Sequence, residues 1–250
     1  MIIVPGLIFL LDSLGLFGLH QATPVAVATS LACIIFSSLA AARTQAVADM
    51  VDWQLVRQWT PFVVLGSFVA SSIAVMLPAT VFRLAIGGFL FVVAVVMLTR
   101  WKPSPHRNHP RSAVSAGLGT TSGLISGLAG IGGGNIVVPT LVYFNVPIQR
   151  ATAVSSTLGV PIASAGTIGY VIIGWGEVPA PNIAMAMPLL GGMLGYVYLP
   201  AFFAIITAAV ITASIGVRIA HRLDPRQLRR IFGALLLVVS IRMFYSAMGT

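Results

Sequence analysis

Six stretches of this chain are apolar over about the twenty residues a helix needs to cross a bilayer. They are Val25 to Ala42, Pro61 to Leu77, Leu84 to Arg100, Ala151 to Trp175, Leu199 to Arg218 and Ile231 to Met248. Runs this long leave the backbone amides nothing polar to bond but one another, so each is read as a membrane-spanning helix. Composition closes the soluble alternative: 58% of the 250 residues are hydrophobic and 8% are charged, against about 25% charged in soluble domains. The excess of nine positive charges lies in short loops between apolar segments, which is a membrane-orientation signal and not a nucleic-acid face. The single cysteine, Cys33, excludes an internal disulfide and a cysteine-built zinc cluster. The N-terminus has no basic region ahead of its apolar residues, so no cleavable signal peptide is read there.

Two further stretches, Ile2 to Leu19 and Ser112 to Val146, are irregular. The second is too long for one straight crossing, and it is broken in the middle by "GLAGIGGGNIVVP". Charge settles its path. "RWKPSPHRNHPR" (Arg100 to Arg111) carries four lysines or arginines and no acid, and "RIAHRLDPRQLRR" (Arg218 to Arg230) carries five arginines against one aspartate. Both are expected on the cytoplasmic side. The two full spans between these loops make one round trip. The broken stretch must therefore enter and leave on the same side, as a hairpin of two half-helices or as two short tilted helices.

The chain also repeats itself. "MIIVPGLIF" at Met1 matches "NIVVPTLVY" at Asn135, with Pro5 on Pro139; "PVAVATS" (Pro24 to Ser30) matches "RATAVSS" (Arg150 to Ser156); and "FRLAIGGFLFVVAVVML" at Phe82 matches "LRRIFGALLLVVSIRMF" at Leu228. Each copy reads as a broken hairpin element followed by three spans. Three is odd, so the second copy is inverted relative to the first, the pattern of secondary transporters. The expected fold is an all-α polytopic membrane protein of two inverted repeats, residues 1–101 and 112–250, joined by a basic cytoplasmic loop, 102–111. Because Met1 falls on Asn135, the first copy lacks a counterpart to Ser112 through Gly134, and a true start upstream of Met1 is favoured.

A glycine break inside a membrane leaves free N–H groups at the start of the next half-helix, where the positive end of the helix dipole also lies. Such an end binds anions. Gly132, Gly133, Gly134 and Asn135 are the candidates, with Pro139 and its counterpart Pro5 in the elements that follow. Thr152, Ser155 and Ser156, mirrored by Thr29 and Ser30, open the next spans. Their hydroxyls either donate to an anion or bond back to their own helix. Gly123, Gly127 and Gly130 are read as helix-packing residues at small-xxx-small spacing. Arg150 either attracts an anion or marks the cytoplasmic end of its helix. G-x-G-x-x-G fails because asparagine stands at 135, and a phosphate loop fails because the only lysine is Lys102. Catalytic and metal residues are expected to be none. The histidines (His20, His106, His109, His221) lie in loops or at helix ends, and the acids (Asp12, Asp49, Asp52, Glu177, Asp224) lie away from the middle of any clear span. No H-E-x-x-H or carboxylate pair is present, and no cofactor is expected.

The run from "SGLISGLAGIGGGNIVVPTLVYFNVPIQRATAVSS" through "LGYVYLPAFF" to "GVRIAHRLDPRQLRRIFGALLLVVSIRMF" resembles the sulfite exporter TauE/SafE family, with G-I-G-G-G, V-P and A-x-x-x-S/T-S as the specific signature. That resemblance implies a multi-pass permease of the inner (plasma) membrane that carries sulfite, sulfoacetate or a related organosulfur anion. The chain departs from the family in lacking the first glycine element and in a longer segment from Glu177 to Leu194. The leading expectation is a secondary transporter for a small anion, bound between the two broken elements near the midplane. The alternative is a transport-inactive or truncated scaffold of the same fold. Expected partners are the anion and the lipid bilayer, with no nucleic acid; a homodimer is kept as a candidate assembly.

Overall fold

Helices α2 (Leu19–Val47) and α7 (Ile148–Ile173) run side by side at the centre of the bundle. Both are long and apolar enough to cross a membrane, as is α3 (Trp53–Met76). In this computed structural model the described residues are 3–15, 17, 19–98, 112–144, 146–176, 192–208 and 225–248. The remaining helices are α1 (Ile3–Ser13), α4 (Ala79–Leu98), α5 (Ser112–Ala129), α6 (Gly134–Tyr143), α8 (Leu199–Ala208) and α9 (Pro225–Met248). A two-stranded antiparallel hairpin, β1 (Met193–Leu194) and β2 (Val197–Tyr198), precedes α8. The Arg100–Arg111 loop, most of Glu177–Leu194, the part of Leu199–Arg218 after Ala208, the side chains of Arg218–Arg230 and Met1 itself lie outside the described residues.

Glycines set the helix contacts. Lipid tails are as apolar as leucine, so membrane helices gain by close packing where small residues let backbones approach. A Cβ on Gly159 of α7 would lie 2.5 Å from Ser38 Oγ, and one on Gly166 would lie 2.8 Å from Leu31 Cδ1. As the number rises along α7 it falls along α2, so the two helices are antiparallel. The α3–α5 pair follows the opposite rule. Gly119 meets Phe62, Gly123 meets Val63 and Gly127 meets Ala70, so these helices are parallel. Their starts are tied by Gln58 Nε2 donating to Ser115 Oγ at 3.4 Å. Helix α3 also bonds α7, with Ser67 Oγ donating to the Ile162 carbonyl at 2.7 Å. Helix α4 packs on α9, where Ser240 Oγ donates to the Gly87 carbonyl at 2.9 Å.

These registers bring four helix termini to one end of the bundle: the C-terminus of α2 and the N-termini of α3, α5 and α7. The stretch that forms α5 and α6 begins at that end and hands over to α7 at the same end. Helix α5 closes at Gly130, whose φ of +64° is left-handed. Ile131 N–H donates to the Ser126 carbonyl at 2.9 Å, the long-range bond that caps a helix before a left-handed residue. Helix α6 then starts from Gly133, also left-handed at φ +77°. Gly130 touches Val4, in the first turn of α1, so the break and the start of α1 meet inside the bundle.

Helix α3 starts eight residues before the Pro61 expected to open it. Asp52 supplies the start: its Oδ1 accepts from Gln54 N at 3.1 Å and Leu55 N at 3.2 Å. Pro61 then sits inside the helix, where it removes one backbone donor without ending the turn. Asp52→Ala is expected to lower stability in detergent by about 1 kcal/mol, the worth of such a cap, with Asp52→Asn nearly silent. Chemical unfolding in mixed micelles reads the difference.

Candidate functional site

A cavity of about 260 Å³ opens between the second half of α2 and the first half of α7. Ser37, Ser38 and Ala41 come from α2, Gly132 and Val138 from the break and α6, and Thr152, Ser155 and Ser156 from α7. None of these side chains is charged. The volume falls below the roughly 300–1,000 Å³ of sites for drug-sized ligands, which suits a small ion with some water.

The hydroxyls differ in what they already do. Ser156 Oγ donates to its own helix at the Thr152 carbonyl, 2.9 Å, and Ser37 Oγ donates to the Ile34 carbonyl at 3.2 Å. Ser155 is only 1% exposed, and its Oγ has no hydrogen-bond partner in the protein. A buried hydroxyl without a partner is unfavourable by about 1–3 kcal/mol, which calls for an explanation at a functional site. Ser126, equally buried, has an unpartnered Oγ on the other side of the break, 3.8 Å from where a Gly133 Cβ would stand. The first turn of α6 starts two residues after Gly132; there Ile136 N–H and Val137 N–H both donate to the Gly133 carbonyl, at 3.1 and 2.9 Å, so the amides of Gly134 and Asn135 are the ones that precede any helical carbonyl.

Four residues expected from the sequence, Gly132, Thr152, Ser155 and Ser156, thus share one cavity. Gly133 sits just behind it, buried, where a Cβ would lie 2.8 Å from Ile162 Cδ1. Its left-handed φ and this contact require glycine whatever binds. Gly134 and Asn135 form the first turn of α6; the Asn135 side chain is outside the described set. Pro139 is exposed on α6 and Pro5 is buried in α1; neither lines the cavity.

Thr29 and Ser30 stand elsewhere. Ser30 Oγ donates to the Gly130 carbonyl at 3.0 Å. Thr29 Oγ1 donates to the Val25 carbonyl at 2.7 Å and accepts from Tyr198 N at 3.0 Å, which anchors the β1–β2 hairpin on α2. Lining residues not foreseen are Ser37, Ser38, Ala41 and Val138. A small-polar "SS" three residues before "AA" on a long helix hints at a polar stripe, but only the α7 register turns that stripe toward Ser155. Arg83 was also not singled out. It is 1% exposed on α4, with Nε donating to Thr23 Oγ1 at 3.4 Å, and it does not line the cavity.

The sequence profile of the sulfite exporter TauE/SafE family matches residues 1–243. The chain belongs to that family. Among its relatives is a Haemophilus influenzae protein named a probable membrane transporter, 27% identical over 98% of this chain and 89% of its own length. A Methanocaldococcus jannaschii protein of similar name is 24% identical over 97% of this chain and 86% of its own length. A Bacillus subtilis relative, YdhB, likewise named a probable membrane transporter, is 24% identical over 70% of this chain. No solved structure matches. This member of the TauE/SafE family is therefore a membrane transporter built of apolar helices.

Proposed function

We propose that this TauE/SafE protein is a secondary transporter of the inner (plasma) membrane. Its substrate is a small oxyanion, sulfite or an organosulfonate such as sulfoacetate, held in the cavity at Gly132, Ser155 and the first turn of α6. The observation that carries this reading is the buried, unpartnered hydroxyl of Ser155, a residue that lines an uncharged cavity beside a helix start. Amide and hydroxyl donors of this kind suit an oxyanion, because each hydrogen bond to a charged group contributes about 1.5–3 kcal/mol. A fixed cation would hold the anion more tightly and slow its release. The antiparallel pairing of α2 with α7 supports an inverted repeat, and the presence of α2, α6 and α7 side chains in one cavity supports a site shared by both halves.

The cavity lies toward the end of the bundle where Arg43, Arg57 and Arg150 lie and where α5 begins. That basic end is read as cytoplasmic. The repeat-related hydroxyls of Thr29 and Ser30 are bound by Tyr198 and Gly130, which supports a state open to the cytoplasm and closed on the far side. Thermal melting of purified protein against sulfite, sulfoacetate and sulfate tests the substrate. A ligand at one hundred times its Kd adds about 2.7 kcal/mol, and the stabilising anion should show saturable flux in proteoliposomes. No shift and no flux with any of the three would overturn the reading and favour the transport-inactive scaffold.

A further inference from the structure

On the reverse side of the α2–α7 pair lies a second groove of about 390 Å³. Leu39 and Ala42 of α2, Trp53 and Val56 of α3, and Val160 and Pro161 of α7 form most of it. The two threonines on its wall have their hydroxyls turned to their own helices: Thr60 donates to the Val56 carbonyl at 2.7 Å and Thr157 to the Ala153 carbonyl at 2.9 Å. The floor is therefore apolar in effect. The groove opens outward, since Leu39 is 37% and Trp53 53% exposed. One charged residue lines it: Arg43, exposed near the C-terminus of α2.

A long apolar floor with one cation at the membrane-surface end fits a molecule with the same division, an acyl chain and an anionic head. Among residues with described side chains, the charged groups at this end are Arg43, Arg57 and Arg150 against Asp49 and Asp52. The Asp52 carboxylate is engaged in capping α3. Trp53 is exposed at the first residue of α3, beside that cap, and tryptophan rings at the ends of membrane helices favour the headgroup boundary. Basic pockets between membrane helices bind anionic headgroups. We propose that this groove holds an anionic phospholipid, with an acyl chain along Leu39, Val56 and Val160 and the phosphate against Arg43. The inference stands apart from the identity of the transported anion. It also has a consequence for transport: the chain would brace the back of α7, the helix whose opposite face carries Ser155 and Ser156.

The test melts purified protein in neutral detergent against phosphatidylglycerol, phosphatidylcholine and inorganic phosphate, and counts bound lipids by native mass spectrometry. Phosphatidylglycerol is expected to raise the melting temperature saturably while the other two do not. Arg43→Gln, at an exposed position, should weaken phosphatidylglycerol about fivefold; Arg57→Gln, outside the groove, should not. Val160→Trp, which fills the floor, should abolish the tightly retained lipid, and Ala42→Leu serves the same purpose if the tryptophan variant fails to fold. Equal binding of phosphatidylcholine, full reproduction by inorganic phosphate, or unchanged phosphatidylglycerol affinity in Arg43→Gln would overturn the proposal.

Discussion

Ser155→Ala is expected to weaken binding of the transported anion by roughly tenfold to a hundredfold while leaving the protein as stable as before. The affinity loss follows from one hydrogen bond to a charged group, about 1.5–3 kcal/mol, at about 1.4 kcal/mol per factor of ten. The absence of a stability loss follows from the structure. Ser155 Oγ bonds no protein atom, so its removal orphans no partner, and the buried hydroxyl that goes was itself unfavourable. Ser30→Ala should behave in the reverse way. It leaves the Gly130 carbonyl without the Ser30 donor and should lower stability by about 1–3 kcal/mol, with substrate affinity little changed. Melting curves and substrate titrations on the two variants read both axes. Loss of affinity in Ser30→Ala alone would move the anion to the other half of the bundle.

The largest loss of stability is expected from Gly123→Ala. The added methyl would meet the Val63 carbonyl oxygen, Cα and carbonyl carbon. These are backbone atoms of α3 that no rotamer change can move, and Gly66 faces α5 just as tightly at the Thr120 carbonyl. Overpacking typically destabilises by 1–3 kcal/mol. With a backbone as the obstacle, about 3 kcal/mol is expected, read as a lowered melting temperature and a smaller monodisperse fraction in detergent. Gly117→Ala, on the same helix with nothing within 4 Å of the new methyl, is the control and should be neutral or slightly stabilising, since alanine is the better helix former. Equal behaviour of the two variants would mean that α3 and α5 do not meet as described. Gly133 carries a mixed lesson. A bulky residue there would meet Ile162 and need a left-handed backbone, so it cannot separate binding from folding.

The membrane class, three of the six expected spans (those of α2, α3 and α7) and the broken element were legible because they depend on local, one-dimensional properties. Apolar run length sets what can cross a bilayer, and glycine clusters mark backbone that leaves the helix. The start of α3 was missed because Pro61 draws the eye while Asp52, a single capping side chain, does the work. Gly132, Thr152, Ser155 and Ser156 were legible because they flank that break in one continuous stretch of chain. Ser37, Ser38 and Ala41 were not. They reach the cavity through the antiparallel register of α2 on α7, fixed by Gly159 against Ser38 and Gly166 against Leu31, and no pattern within α2 encodes that pairing.

What the sequence alone determined is that this chain lives in a bilayer, folds as helices and interrupts one of them with glycine, since hydrophobic length and backbone freedom are properties of residues and their neighbours. Which hydroxyls are available to a ligand was decided by tertiary structure. Thr29 and Ser30 share a motif with Ser155 and Ser156, yet the first pair is bonded to Tyr198, Val25 and Gly130 while Ser155 has no protein partner. A hydroxyl's availability depends on the donors and acceptors packed against it, and here all but the local Val25 carbonyl come from segments a hundred residues or more away, the hairpin that ends at Tyr198 and the break at Gly130, brought alongside only when the helices assemble.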